Sequence, residues 1–203
     1  SYWLTQGLFA WIVFPLAGAL LAMPEGMSVA DIFAMEGAPM AVVYGALWGV
    51  GGLTFGLSMR YLGVALGQSI ALGTCSGLGT LLPALFAREN LFRGEGLVLL
   101  VGVAITLAGI AVIGYAGSLR SQTMSEEERR AAIKDFALTK GLAVALLAGL
   151  MSACFNLGLE AGAPISARLA EAGAGDLFVT LPATLLVTLG GAVTNFAYCL
   201  WQN

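Results

Sequence analysis

The residues of this chain that could do chemistry are polar side chains inside long apolar stretches. Gln68, Asn156 and Asn195 carry amides, and Glu160 carries an acid one helical turn beyond Asn156. An amide donates and accepts hydrogen bonds together, so it suits a ligand rich in hydroxyl groups, but it serves equally well to staple two helices. An acid inside a membrane is a candidate for binding a coupling ion, whereas an acid at a helix end meets water. Both interpretations stay open at this point.

Aromatic residues form a stripe along the second apolar stretch. Tyr44, Trp48 and Phe55 lie within about 60° of one another around an α-helix. Aromatic rings stack on the C–H surface of sugars, and the tyrosine hydroxyl and the indole N–H add hydrogen bonds at the ring edge. An interfacial belt could explain Tyr44, but Trp48 and Phe55 are too deep in the stretch for the headgroup level. We therefore predict a substrate-binding site from Tyr44, Trp48, Phe55, Gln68, Asn156 and Asn195.

Glycines line a neighbouring face of the same stretch. Gly45, Gly49, Gly52 and Gly56 are separated by four, three and four residues, which places them on one face about 60° wide. A smooth face of this kind lets another helix approach closely, so we predict helix packing at all four positions. The alternative is a gap that is left for substrate or for a moving helix.

These side chains must be positioned by membrane-spanning helices. Each of six stretches without a charged residue is near or above the roughly 20 residues with which an α-helix crosses a bilayer. The stretches are 1–24, 37–59, 61–87, 96–119, 141–159 and 177–203. Charged residues make up 10% of the chain and the mean hydropathy is +0.89, whereas a soluble domain has about 25% charged residues. We predict an all-α polytopic membrane protein with six transmembrane helices and membrane lipids around it.

The composition excludes several kinds of site. The chain has no histidine, so it lacks a histidine base, a histidine metal ligand and any Ser/His or Cys/His pair. Cys75, Cys154 and Cys199 each lie alone in an apolar stretch, which is typical of buried thiols rather than of disulfides or metal ligands. We expect no catalytic activity, no metal, no cofactor and no nucleic-acid partner.

Basic residues set the expected orientation in the membrane. Six of the nine Lys and Arg residues fall on one side, and five of these lie between Ser118 and Lys140. The positive-inside rule therefore places residues 118–140 in the cytoplasm. The loop from Pro24 to Glu36 has three acids and no base, which fits the outer side. Residues 1 and 203 are then both expected at the cytoplasmic face.

Local patterns predict two short helices and two kinks. Ser125 to Glu128 reads as a capping box, which predicts a short polar helix in the basic loop. The segment from Pro164 to Ala172 has the pattern of an interfacial helix, with proline in its first turn and glycine after its end. Pro15 and Pro83 lie inside apolar stretches, where each removes a backbone donor and kinks its helix.

The sequence also resembles a known family. The resemblance is carried by Gly45–Gly51 (GALWGVG), Met59–Gly63 (MRYLG), Ser152-Ala153, Leu181-Pro182, and Gly190-Gly191-Ala192 with Asn195. These runs closely resemble the L-rhamnose-proton symporter family of the drug/metabolite transporter superfamily. The similarity extends collinearly through nearly the whole chain, which is more specific than any single motif.

The resemblance implies a fold of ten helices in two five-helix repeats of inverted topology. Residues 1–117 would be helices two to five of the first repeat, residues 118–140 the cytoplasmic loop between repeats, and residues 141–203 the first two helices of the second repeat. Both ends lie at apolar stretches, so we expect an internal fragment that is completed by further helices of the same chain. Glu160 departs from the family pattern, which has no acid there, and the resemblance assigns it no proton.

We therefore predict a secondary transporter of the bacterial inner membrane. It would import L-rhamnose or a related deoxysugar with a proton, or with sodium, by alternating access between two repeats. A drug/metabolite exporter is an alternative because the superfamily is broad. A non-catalytic membrane scaffold is another, if the glycine faces only pack helices.

Overall fold

The structure is a computed structural model that describes residues 2–86, 91–124 and 137–202. Within these ranges every regular element is a helix, and six helices are long and apolar enough to cross a membrane. The helices are α1 Tyr2–Ala22, α2 Ala38–Leu62, α3 Val64–Phe86, α4 Glu95–Thr123, α5 Leu138–Ala161, α6 Ala163–Glu171 and α7 Leu181–Trp201. The prediction of an all-α polytopic membrane protein is confirmed.

Glycines in the left-handed conformation follow the ends of two helices. Gly63 has a φ of 80° and separates α2 from α3, a left-handed conformation that glycine adopts without a Cβ clash. Gly173 has a φ of 96° and follows the end of α6. The predicted helix at Pro164 to Ala172 therefore forms as α6, with Pro164 in its first turn. The predicted polar helix at Ser125 lies outside the described residues.

Helix α1 is interrupted close to Pro15. Its middle part, Leu8–Val13, is π-helical, and Pro15 lies in the first turn of the α-helical part Phe14–Ala22. Proline has no N–H to donate, so the hydrogen-bond ladder of the preceding turn must rearrange. The expected kink takes the form of this wider helical stretch. Pro83, by contrast, lies inside α3, which continues to Phe86.

The described residues of Ser1–Val50 and Cys154–Asn203 form one compact unit. Its aliphatic core receives side chains from α1, α2, α6, α7 and the single-turn 3-10 helix Asp31–Ala34. The core residues are Ala19, Ile32, Ala38, Ala41, Ile165, Leu169, Leu185, Leu186 and Val187. Ile165 and Leu169 are fully buried, so α6 is anchored to this core by its apolar face.

The described residues of Gly51–Ala153 form a second unit. In it α3 and α4 run antiparallel: a Cβ added at Gly73 would lie 3.1 Å from Ile110 Cγ2, and one added at Gly114 would lie 3.2 Å from Ser69 Cβ. The first part of α5 packs on α3, where a Cβ at Gly149 would lie 2.6 Å from the carbonyl oxygen of Ala71. Glycines therefore set the helix spacing in this unit too.

The connection between α1 and α2 is held by its own polar groups. The backbone N–H of Ser28 donates to Asp31 Oδ2 at 2.7 Å, and the Ser28 hydroxyl donates to the same oxygen at 3.0 Å. Both bonds favour the ionised acid, the backbone bond most, and they lower the pKa of Asp31.

Candidate functional site: a polar and aromatic junction

Asn195 joins three helices of the first unit. Its side chain is 2% exposed. The Nδ2 group donates to the carbonyl oxygen of Gly191 at 2.9 Å and to that of Gly49 at 3.4 Å, and Oδ1 accepts a bond from Trp3 Nε1 at 3.0 Å. The sequence leaves Asn195 open between a ligand contact and a helix staple. Its geometry is that of a staple between α1, α2 and α7.

Glycines bring α2 and α7 together at this junction. A Cβ added at Gly45 would overlap the carbonyl oxygen of Val187, and one added at Gly49 would lie 2.9 Å from that of Gly191. Thr194 adds a bond from its Oγ1 to the carbonyl oxygen of Ala46 at 2.9 Å. The two helices run in the same direction, because residues further along α2 meet residues further along α7. Gly45 and Gly49 thus permit backbone contact between them.

Trp48 occupies a slot in the same unit. Its ring meets the ring of Phe155 at a centroid distance of 5.1 Å and an interplanar angle of 63°, an edge-to-face arrangement that aromatic quadrupoles favour. On its other side a Cβ added at Gly191 would lie 2.6 Å from the indole. Trp48 is half-buried, so part of the ring is open to a ligand. Tyr44, one turn earlier, is also half-buried and lies beside Gly158 of α5.

A second aromatic group continues from Trp3. The rings of Trp3 and Trp11 are 5.5 Å apart with an interplanar angle of 70°, and Trp11 meets Phe196 of α7 at 6.4 Å and 88°. Trp11 lies in the π-helical part of α1. Sequence reasoning missed this group. A usable signal was the indole N–H of Trp3, which needs a hydrogen-bond partner when it is placed in an apolar helix.

The remaining predicted contacts on α2 and α3 belong to the second unit. Phe55 and Gln68 are both half-buried, and the Gln68 amide has no hydrogen-bond partner among the described residues. A Cβ added at Gly52 or Gly56 would meet no described atom within 4 Å, apart from neighbours in its own helix. The packing prediction for Gly52 and Gly56 therefore stays a prediction, with no packing partner among the described residues. A shared face shows only where a partner could pack, not how far that partner extends.

The predicted roles of Asn156 in substrate binding and of Glu160 in ion coupling stay predictions. Asn156 is exposed on α5. The reason is helical geometry: Gly158 packs inward against Val187, and Asn156, two residues earlier, points about 160° away around α5. Glu160 is exposed in the last turn of α5. Neither side chain is brought to the Asn195 junction.

The junction presents aromatic rings beside neutral hydrogen-bonding groups. Within the described ranges, no group of three or more His, Cys, Asp or Glu residues could hold a metal ion. The first unit offers the half-buried rings of Tyr44 and Trp48, and the ring of Phe155 packs against that of Trp48. Such a surface can stack on an apolar ring face and donate hydrogen bonds at its edge.

Comparison with known proteins identifies relatives over the same length. The family described as L-rhamnose-proton symport protein matches residues 1–202. Two similar curated proteins are the L-rhamnose-proton symporters of Yersinia pestis biovar Antiqua (strain Antiqua) and Yersinia pseudotuberculosis serotype O:3 (strain YPIII). Each is 32% identical over 202 residues, which cover 98% of this chain and 57% of the relative.

The chain thus spans somewhat more than half the length of the curated relatives that it matches. No solved structure matches the chain.

Proposed function

Because the chain belongs to the family of L-rhamnose-proton symport proteins, we propose that the full-length protein imports L-rhamnose, or a related deoxysugar, together with a proton. The observation that carries the proposal is the family match over residues 1–202. The names of the similar Yersinia proteins support the same substrate and the same coupling ion. The full-length protein would be a transporter of the inner membrane and not an enzyme.

The sugar site would be built around the open faces of Tyr44 and Trp48. A 6-deoxyhexose has an apolar edge at its methyl group, which suits an aromatic surface, and hydroxyl groups that need donors and acceptors. Phe55 and Gln68 stay predicted substrate contacts, each described within the second unit only. Asn195 would act as a positioning residue, since its amide is already engaged by three helices.

The transport cycle would use two repeats. Residues 1–117 would contribute helices two to five of a first five-helix repeat, and residues 141–203 the first two helices of an inverted second repeat. The loop 118–140 between them would lie in the cytoplasm, together with residues 1 and 203, because it holds five of the nine basic residues. Alternating access would then arise from movement of one repeat against the other.

The coupling ion would bind at Glu160 or at backbone and hydroxyl oxygens. Glu160 is placed at the end of α5 and is exposed, so a proton would reach it easily from water. A sodium ion held by carbonyl and hydroxyl oxygens is the alternative. The two ions are distinguished by imposing their gradients one at a time.

The test uses the full-length protein in proteoliposomes. We expect an imposed proton gradient, acid outside, to drive accumulation of labelled L-rhamnose, and excess L-rhamnose to abolish the signal. Liposomes with a sodium gradient of the same size show whether sodium drives uptake instead. Competition by unlabelled L-fucose and L-mannose measures the specificity for the sugar. A protein that neither accumulates nor exchanges L-rhamnose would overturn the proposal. Proton-driven efflux of another metabolite would favour the drug/metabolite exporter, and correct insertion without any transport would favour the scaffold.

A further inference from the structure

Trp48 lies at a seam between α2 and the last turns of α5 in the first unit. A Cβ added at Gly158 would lie 3.3 Å from Tyr44 Cβ. One turn further along α2 the ring of Trp48 meets the ring of Phe155, which comes three residues before Gly158 in α5. The two helices are therefore antiparallel here. Gly158 lets them approach closely enough for the Phe155 ring to reach the indole.

The indole also rests on the backbone of α7. A Cβ added at Gly191 would lie 2.6 Å from both Cε3 and Cζ3 of Trp48, a distance that real Cβ atoms essentially never show. The next nearest described atom is the carbonyl oxygen of Gly45, at an ordinary 3.4 Å. The Trp48 ring thus occupies the space that a side chain at position 191 would fill.

These two contacts restrict the orientation of the Trp48 ring. A tryptophan side chain without neighbours distributes over three staggered wells of its first torsion. Here Phe155 contacts the indole from α5, and the indole fits against α7 only because position 191 carries no side chain. Phe155 itself packs against the aliphatic core of the unit, so its ring is a firm support. Trp48 is nevertheless only half-buried, which leaves part of the oriented ring open.

We propose that Phe155 and Gly191 are positioning residues, which hold the Trp48 indole in the orientation that accepts the sugar. This role rests on the proposed function, because it requires that Trp48 stacks on the bound sugar. A ring that is oriented in advance loses little torsional freedom when the ligand binds. A ring that samples three wells equally offers the binding orientation about a third of the time, so the apparent dissociation constant rises about threefold.

The experiment follows the Trp48 ring and the sugar affinity in the same purified full-length protein. The protein is labelled with fluorotryptophan, and the fluorine NMR resonance of Trp48 is the one that Trp48→Phe removes. We expect L-rhamnose to shift this resonance, because the sugar meets the ring. Calorimetry measures the dissociation constant of L-rhamnose, and SDS-induced unfolding measures the stability of each variant.

Substitutions at the two supports test the positioning role. Phe155→Leu should move the Trp48 resonance in the sugar-free protein and raise the dissociation constant of L-rhamnose about threefold. Phe155→Tyr keeps the aromatic ring, so it should preserve both the resonance and the affinity. Gly191→Ala should move the resonance and weaken binding at least as much as Phe155→Leu, because its methyl group displaces the indole.

Gly162→Ala is the matched control for Gly191→Ala. Its Cβ would lie 2.7 Å from Ala183 Cβ, and its next nearest described neighbours are carbonyl oxygens at 3.4 Å. It therefore disturbs the packing of α7 in the same unit by a similar overlap, without contact to the indole. We expect a lower stability, with the Trp48 resonance and the affinity for L-rhamnose unchanged.

The outcomes separate this role from the proposed function. Failure of the unaltered protein to bind L-rhamnose would overturn the proposed function, and binding without a shift of the Trp48 resonance would overturn the sugar site at Trp48. A resonance that responds to the sugar, with unchanged affinity in folded Phe155→Leu and Gly191→Ala proteins, would overturn the positioning role alone. An equal loss of affinity in Gly162→Ala would also overturn it, because a general loss of packing would then explain the effect. If Gly191→Ala does not fold, the comparison of Phe155→Leu with Phe155→Tyr decides.

Discussion

Trp3 Nε1 donates a hydrogen bond of 3.0 Å to Asn195 Oδ1 across 192 positions of sequence. The bond joins α1 to α7. Asn195 Oδ1 accepts it, while the Nδ2 group of the same amide donates to carbonyl oxygens of α2 and α7. Each group is neutral, so the junction avoids the cost of a buried charge. The indole of Trp3 leads on to Trp11 and Phe196, which makes Asn195 the polar centre of an otherwise aromatic contact.

A double-mutant cycle should detect this bond. We expect Asn195→Leu to lower the free energy of unfolding by about 1–2 kcal/mol, because it leaves the Trp3 N–H and two carbonyl groups without their partner. Trp3→Phe should have a smaller effect, and the coupling between the two substitutions should be about 0.6 kcal/mol, a common value for hydrogen bonds between membrane helices. The measurement is SDS-induced unfolding of the full-length protein in mild detergent. Strict additivity of the two effects would mean that the bond contributes nothing.

Alanine substitutions at Gly45 and Gly52 form a matched pair that tests the glycine face of α2. Gly45→Ala should destabilise the protein by roughly 1–3 kcal/mol, because its new methyl group overlaps the Val187 backbone, which can yield only if α7 moves. Gly52→Ala, on the same face of the same helix, should be neutral or gain up to about 1 kcal/mol from helix propensity. The same unfolding assay compares them. Equal destabilisation by both would show that a further helix packs on Gly52 in the full-length protein.

Gln68→Leu should weaken sugar binding without weakening the fold. The side chain is half-buried and has no hydrogen-bond partner among the described residues, so its loss removes no bond within them, whereas a lost hydrogen bond to bound sugar would cost about 1–2 kcal/mol. We expect a rise in the dissociation constant of L-rhamnose of roughly 5- to 30-fold, measured by calorimetry on purified protein. The unfolding free energy serves as the internal control. Unchanged affinity would remove Gln68 from the site.

Reporter fusions should reveal the orientation. We expect a fusion within 118–140 to report a cytoplasmic location, because five of the nine basic residues lie there. A fusion between Glu25 and Asp31 should report an external location, because the loop from Pro24 to Glu36 has no basic residue. Paired phosphatase and fluorescent-protein reporters give opposite signals on the two sides. The reverse pattern would contradict the proposed repeat assignment.

Glu160→Gln separates sugar movement from ion coupling. The amide keeps the shape of the side chain but fixes its charge at zero, so exchange of L-rhamnose between the two sides should persist. Accumulation driven by a pH gradient should be lost, because no proton is bound and released in each cycle. Both are measured in proteoliposomes with the full-length protein. Gradient-driven uptake that survives the substitution would place the coupling ion on other residues.

Much of the fold could be predicted because the bilayer imposes a simple rule on the sequence. Charge-free stretches must be helices of membrane-spanning length, and the structure places a helix on each of them. The break between α2 and α3 could likewise be predicted, because Arg60 divides two charge-free stretches close to Gly63. The π-helical part of α1 could not be predicted, because Pro15 indicates that the ladder is broken but not which hydrogen bonds replace it.

The candidate site was harder to predict than the fold. Helical spacing groups Gly45 with Gly49 on one face of α2, but it does not show how far along that face a partner helix extends. The sequence does not show which partner an amide in an apolar helix will bind. Asn195 is buried and hydrogen-bonded to three helices, whereas Asn156 is exposed. Which outcome occurs depends on the rotation of each helix about its axis, and that rotation is set by packing among all of its neighbours.

The contact between α2 and α7 at Gly45 and Gly49 has a mechanical consequence. At Gly45 the backbone of α2 faces the Val187 backbone directly, so no side chain at that position could change rotamer and absorb a displacement. The separation of the two axes at that point is therefore fixed, and sliding would drive one backbone into the other. Rotation about the contact would strain the hydrogen bonds from Thr194 to Ala46 and from Asn195 to Gly49. The glycine pair is thus the point at which the two helices must move together as one body.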